Sequence, residues 1–242
     1  MKKGRDYLVF PLDFSSVKDV KEYVRLLDGK VGMFKIGLEL FIDQGPEIVR
    51  MVRNESSAGI FLDLKLHDIS VTVQRAMERV AALGVDLATV HCSSTESMLE
   101  KAVAGAGGRT GVLGVTLLTD NDAAALEASG FRKEFVDDPA GLVLMRAEMA
   151  FDAGCAGVVC SGREAAAIKG MFGKDFLVVT PGIRPEWACL KNDDQKRVTT
   201  PAQAVGSGSD LIVIGRPIRD ADDPADAASK VCQEIDAALK QA

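Results

Sequence analysis

At 242 residues, with 47% hydrophobic and 26% charged side chains, the chain has the make-up of a water-soluble globular protein with room for one large domain. A net charge of −6 and a pI near 5.1 supply no basic footprint for nucleic acid or an anionic membrane surface, although a few placed cations would still serve a small anionic ligand. The first apolar run reaches Asp13 too soon for a signal peptide, and no later run approaches the length of a membrane span. The five cysteines are scattered without metal-site spacing, so the expectation is a cytoplasmic protein with reduced thiols.

In chain order, one phrase repeats: an apolar β-rich run, a polar or glycine-containing turn, then an amphipathic segment. Strands are predicted at 7–14, 33–38, 59–66, 87–92, 111–118, 157–161, 177–181 and 211–215. Helical patterns lie between them at 17–27, 71–83, 97–104, 139–153 and 224–239. Ser15 or Ser16, Thr95, Asp138-Pro139 and Asp223-Pro224 mark helix starts. Continuous apolar strands alternating with helices imply a parallel sheet buried on both faces. Eight such units predict a single (β/α)8 TIM barrel over 1–242, with its active site at the C-terminal ends of the strands. An open doubly wound sheet is the alternative, but no G-x-G-x-x-G follows the first strand.

On a barrel, the residues that end each strand are the candidates for function. They are Asp13; Lys35 and then Glu39; Asp63, Lys65 and Asp68; His91; Thr116 and Thr119; Ser161; Pro181-Gly182-Ile183-Arg184; and Gly215-Arg216. The third group sits in FLDLKLHDISVT, residues 61–72, where three charges follow a buried run. Residues two apart on a strand share a face, so Asp63 and Lys65 should point together, with Asp68 beyond the strand end. A buried lysine must be paired or lose its proton, and two flanking carboxylates would keep Lys65 charged and still. A purely structural ion pair is the plainer reading of Asp63-x-Lys65 alone.

With Asp13 and Lys35 these residues form one array of alternating charge. Such an array can hold a divalent metal on its carboxylates, or work without metal through its lysines. Lys35 stands where a metal site would need another oxygen ligand, which favours the metal-free form. The segment LIVIGRPI carries a phosphate signal, with the Gly215 and Arg216 amides as donors and the Arg216 guanidinium as bidentate partner; a tight turn with a solvated arginine is the plainer alternative. Gln195 could donate to the same phosphate from the polar loop 185–198, which has the length of a closing lid. His67 and His91 read as structural groups, and Cys92 and Cys160 lack a histidine partner for covalent catalysis.

Taken together, LVFPLDF, the KIG at 35–37, the D-x-K-x-x-D at 63–68, LLT before Asp120, VVCSG, TPGIRP, DQKRV and IGRPI make the chain resemble orotidine 5'-phosphate decarboxylases from about residue 8 to residue 238. The resemblance implies cofactor-free conversion of orotidine 5'-phosphate to UMP and carbon dioxide in pyrimidine biosynthesis, with Lys65 protonating C6 and no metal. It implies that Asp63 lies beside the substrate carboxylate and that Asp68 reaches into the neighbouring subunit's site, so that a homodimer shares its active sites. Lys35 and Asp13 would contact the ribose, as would Thr72 of the partner chain. Arg184, Gln195, Gly215 and Arg216 would hold the phosphate, with Thr119 or Thr116 and Ser161 near the base and Pro181 as a further substrate-binding position. The family usually carries Pro-Asn where this chain has Ser70-Val71. Two other readings stay open: a magnesium-dependent sugar-phosphate lyase on the same barrel, and a non-catalytic phosphate-ligand binding protein.

Overall fold

The computed structural model describes residues 2–188 and 199–240. Eight parallel strands close into a barrel in sequence order: β1 (Leu8–Pro11), β2 (Met33–Gly37), β3 (Gly59–Leu66), β4 (Leu87–His91), β5 (Gly111–Val115), β6 (Gly157–Val159), β7 (Leu177–Thr180) and β8 (Leu211–Val213). Closure is made by β1 against β8, through Leu8 beside Ile212 and Val9 beside Val213. The helices are α1 (Val17–Leu27), α2 (Leu38–Gln44), α3 (Glu47–Glu55), α4 (Ser70–Ala82), α5 (Glu96–Ala106), α6 (Ala123–Ala128), α7 (Lys133–Asp137), α8 (Pro139–Asp152), α9 (Ala165–Phe172), α10 (Pro201–Gly206), α11 (Arg216–Arg219) and α12 (Pro224–Leu239). This is the (β/α)8 TIM barrel expected from the repeat.

Every expected strand is present, although most end earlier than the apolar runs suggested. The β6 ladder, for example, stops at Val159 beside Val179, which leaves Cys160 and Ser161 in the following loop. The helix caps follow the expected chemistry at two starts. Asp138 accepts from the Gly141 amide and Asp223 from the Asp226 amide, each satisfying one orphan donor of a first turn opened by proline. Ser16 and Thr95 occupy the cap positions of α1 and α5 without a side-chain bond. The short helices α6 and α7 lie in the connection from β5 to α8, where no helical pattern was predicted.

Two apolar layers explain where the site must sit. Outward-facing strand residues such as Leu8, Phe10, Phe34, Ile60 and Leu62 pack with the helices in one continuous core. Inside the barrel a smaller plug is formed by Val9, Phe61, Leu87, Leu113, Val179, Leu211 and Val213, with Met33, Val159 and Leu177 against it. Strand residues alternate between these layers, so the position two beyond each plug residue also points inward, one level higher. Met33 is followed in this way by Lys35, Phe61 by Asp63 and Leu87 by Thr89. The polar residues are therefore the upper layer of a filled barrel.

Candidate active site

A cavity of about 320 Å³ opens above the plug at the C-terminal ends of the strands. It is lined by Asp13, Lys35, Asp63 and Lys65 on one side and by Pro181, Gly182, Arg184, Gly215, Arg216 and Arg219 on the other, with Leu117, Leu118 and Thr119 between them.

The charged side is a chain of ion pairs across three adjacent strands. The Lys35 ammonium lies 3.4 Å from Asp13 Oδ1 and 3.7 Å from Asp63 Oδ2. Lys65 Nζ donates to the same Asp63 oxygen at 2.8 Å. The other oxygen, Asp63 Oδ1, accepts from the Thr89 hydroxyl at 2.9 Å. Asp63 is thus buried but fully engaged, as a buried carboxylate must be, and two ammonium groups share it. Sequence reasoning missed Thr89, which the alternation Leu87, Thr89, His91 on β4 places on the inner face.

Lys65 does not hold its place by simple strand alternation. The β3–β4 pairing shifts between Leu62 and Leu66, and Lys65 has φ +51°, a left-handed backbone that non-glycine residues seldom adopt. Its amide leaves the ladder and donates to Thr89 Oγ1 at 2.8 Å. The bulge turns the side chain back over Asp63, so one threonine organises both the backbone of Lys65 and the carboxylate that pairs with it.

Asp68 stands beyond the end of β3. It does not flank Lys65 within the chain: its carboxylate is exposed and accepts from the Ile69 amide at 2.6 Å. Among the described residues, Asp63 alone pairs with the ammonium. Thr72 is likewise exposed, on the first turn of α4 outside the cavity. Ser161 does not line the cavity; its hydroxyl accepts from the Arg163 amide at 3.2 Å, because β6 has already ended. Thr119 lines the cavity, while Thr116 is buried and donates to the Val159 carbonyl at 2.9 Å.

At the other end, Gly182 has φ +75°, which lets the chain turn sharply after β7 so that Pro181 and Arg184 both border the cavity. Arg184 is buried, its amide bonded to the Thr199 carbonyl and Nη1 to the Ile183 carbonyl. Gly215 and Arg216 stand at the start of α11, directly after β8. Gln195 and most of the expected lid lie outside the described residues. Arg219, which the strand-end survey passed over because it lies a full turn past Arg216, also borders the cavity.

Other titratable groups near the rim are less suited to chemistry. Burial, helped by neighbouring His67 and Lys65, holds the His91 imidazole below its ordinary pKa. The two histidine rings are 5.6 Å apart. Burial pushes the Cys92 thiol up to about 12 and raises Cys160 further, so neither is a nucleophile near neutral pH. Among the described residues, no cluster of three histidine, cysteine or carboxylate side chains is placed to hold a metal ion, and no helix is long and apolar enough to cross a membrane.

Comparisons with known proteins bear on the family and the fold. The model of the orotidine 5'-phosphate decarboxylase / HUMPS family matches residues 6–231. A protein of Desulfosudis oleivorans named orotidine 5'-phosphate decarboxylase is 50% identical over 237 residues, covering 98% of this chain and 95% of the relative. One of Anaeromyxobacter sp. strain K with the same name is 45% identical, covering 95% and 98%. The crystal structure of orotidine 5'-phosphate decarboxylase from Lactobacillus acidophilus superposes with a TM-score of 0.80 at 33% identity, covering 94% of this chain and 98% of that one. By sequence and by fold, the chain belongs to the orotidine 5'-phosphate decarboxylase / HUMPS family.

Proposed function

We propose that the chain is a carboxy-lyase that converts orotidine 5'-phosphate to UMP and carbon dioxide, the last step of de novo pyrimidine nucleotide synthesis, with Lys65 as the proton donor to C6. The observation that carries this reading is the pair of ammonium groups shared by Asp63, set at the floor of a cavity whose far wall bears Arg184 and Arg216. A nucleotide fits that polarity: its phosphate meets the arginines and its base reaches the lysines.

Breaking the C6–carboxylate bond leaves an electron pair on C6 with little delocalisation. A fixed ammonium beside that carbon stabilises the developing charge more than it stabilises the starting carboxylate, which is the condition for acceleration. The same ammonium then gives its proton to C6, and solvent reprotonates the amine. Asp63 positions Lys65 and stands where the substrate carboxylate would approach, and crowding between the two acids raises the ground state. In this reading Lys35 and Asp13 bind the ribose, Thr119 lies toward the base with Pro181 beside it, and Arg184, Gln195, Gly215 and Arg216 grip the phosphate.

The donor set also favours the metal-free route over a magnesium-dependent sugar-phosphate lyase, because Lys35 and Lys65 already neutralise the carboxylate that a divalent cation would need. Turnover of orotidine 5'-phosphate, followed by loss of absorbance, should persist in excess EDTA, and activity abolished by chelation would sink the metal-free reading. Lys65→Ala should lower kcat at least about ten-thousandfold, combining the loss of a general acid with that of the fixed charge. UMP binding, measured by calorimetry, should survive that substitution. Tight UMP binding by the unaltered chain without carbon dioxide release would instead identify a binding protein.

A homodimer with shared sites completes the proposal. Asp68 and Thr72 face away from their own cavity, and Leu38, Ile42, Ile69 and Val71 expose apolar side chains just past the ends of the adjacent strands β2 and β3. An exposed apolar group of this kind is what a subunit contact would cover. Mixing Lys65→Ala with Asp68→Ala subunits should restore about a quarter of the activity on statistical grounds, since one heterodimer site regains both residues. No recovery after verified exchange would remove Asp68 from the partner's site. The cysteines among the described residues are free thiols, which supports a reducing, cytoplasmic setting for the enzyme.

A further inference from the structure

Arg219 has a bonding pattern that differs from that of a ligand-binding cation. Its Nε and Nη2 grip the Asp220 carboxylate at 2.6 and 3.1 Å, a two-point pairing that cancels the charge and fixes the plane of the guanidinium. The remaining nitrogen, Nη1, donates to the main-chain carbonyl of Asp13 at 3.3 Å, joining residues 206 apart in sequence. The backbone of Arg219 is held as well. Its carbonyl accepts from the Tyr23 hydroxyl at 2.7 Å, and the Tyr23 ring stacks on Phe10 of β1 with centroids 5.8 Å apart. The α11 end is therefore a fixed post, and Arg219 reaches from it to the point where β1 has just left the sheet.

Asp13 needs such a tether. Its side chain is 56% exposed, and its only ion pair among the described residues, to Lys35, is long at 3.4 Å. An exposed aspartate on a loop is poorly directed unless its main chain is held. From this geometry we infer that Arg219 is a positioning residue for the reaction, acting through Asp13: it fixes the Asp13 backbone so that the carboxylate faces Lys35 and the ribose region of the cavity. The inference rests on the decarboxylase reading, in which Asp13 contacts the ribose. It gives Arg219 a task different from phosphate binding, although the side chain borders the same cavity.

The test compares Arg219→Ala with Asp13→Ala and the double variant, reading KM, kcat and the UMP dissociation constant of each. Arg219→Ala should raise KM and the UMP dissociation constant about tenfold, the worth of one charge-assisted hydrogen bond, with kcat within about twofold. In the Asp13→Ala background the added effect should be less than about twofold, because the group being positioned is gone. Arg219→Lys, which retains a donor for the Asp13 carbonyl, should recover most of the affinity, and it also guards against misfolding of the alanine variant.

Full additivity of the two alanine changes would overturn the inference. So would a loss that vanishes when uridine replaces UMP as the ligand, since that marks a phosphate contact. Failure of the underlying reading has a different signature. If the unaltered chain binds UMP but releases no carbon dioxide, the reaction is wrong, while the affinity cycle still decides whether Arg219 acts through Asp13.

Discussion

On the β1–β3 side of the cavity, the charges lie within 4 Å of one another in an unbroken series, Asp13, Lys35, Asp63, Lys65, carried on or just past neighbouring strands. On the β7–β8 side, the arginines stand on a turn and on a four-residue helix, past the ends of their strands. The difference matches two kinds of work. Stabilising a carbanion demands groups that are already in place when charge develops, and strand residues over a packed plug are the stiffest positions available. Gripping a phosphate needs donors that can be brought to the ligand, and loops after strands serve that purpose.

Substitutions at the two ends should therefore fail in different ways. Asp63→Asn removes the carboxylate that two ammonium groups share, and kcat should fall about a thousandfold with a much smaller change in UMP affinity, as seen by stopped-flow turnover and calorimetry. Arg216→Ala should lower kcat/KM about a hundredfold, most of it in KM, and the defect should shrink when uridine replaces UMP in binding assays. If Asp63→Asn acted mainly on KM, or Arg216→Ala left uridine and UMP equally weakened, the division between a chemical and a binding end would be wrong.

The smallest effect is expected below the rim. Burial raises Cys92 and Cys155 from an ordinary 9.0 to about 12, so the fold favours the neutral thiol. That preference contributes stability in full below pH 9 and loses it as pH climbs toward 12, because only the unfolded chain then ionises freely. Alkylation of the native protein at pH 8, read by mass spectrometry, should leave both residues unmodified and turnover unchanged. Rapid labelling of either would show that the shell beneath the site opens readily.

Much of this arrangement was legible in the sequence because a strand has a period of two. Lys35 and Asp63 follow Met33 and Phe61 on the inner face, and the motif around Asp63 stood out by its charge within an apolar run. What escaped has physical causes. Nothing in FLDLKLHD announces a left-handed residue, since glycine and asparagine, the usual signals, are absent there. Ser161 was placed by counting to the end of an apolar run, but the run outlasts the ladder by two residues. Arg219 reaches the rim through a tertiary contact with Asp13 that no local pattern encodes.

The left-handed backbone of Lys65 sets conformational stability against catalysis at one position. Among the described residues it is the one non-glycine with a positive φ, and it is also the residue on which the chemistry depends. Glycine adopts that conformation without the side-chain clash, so Lys65→Gly should exceed Lys65→Ala in unfolding free energy by about 1 kcal/mol while both are inactive. A selection for thermal tolerance alone, blind to turnover, would accordingly drive this position away from lysine.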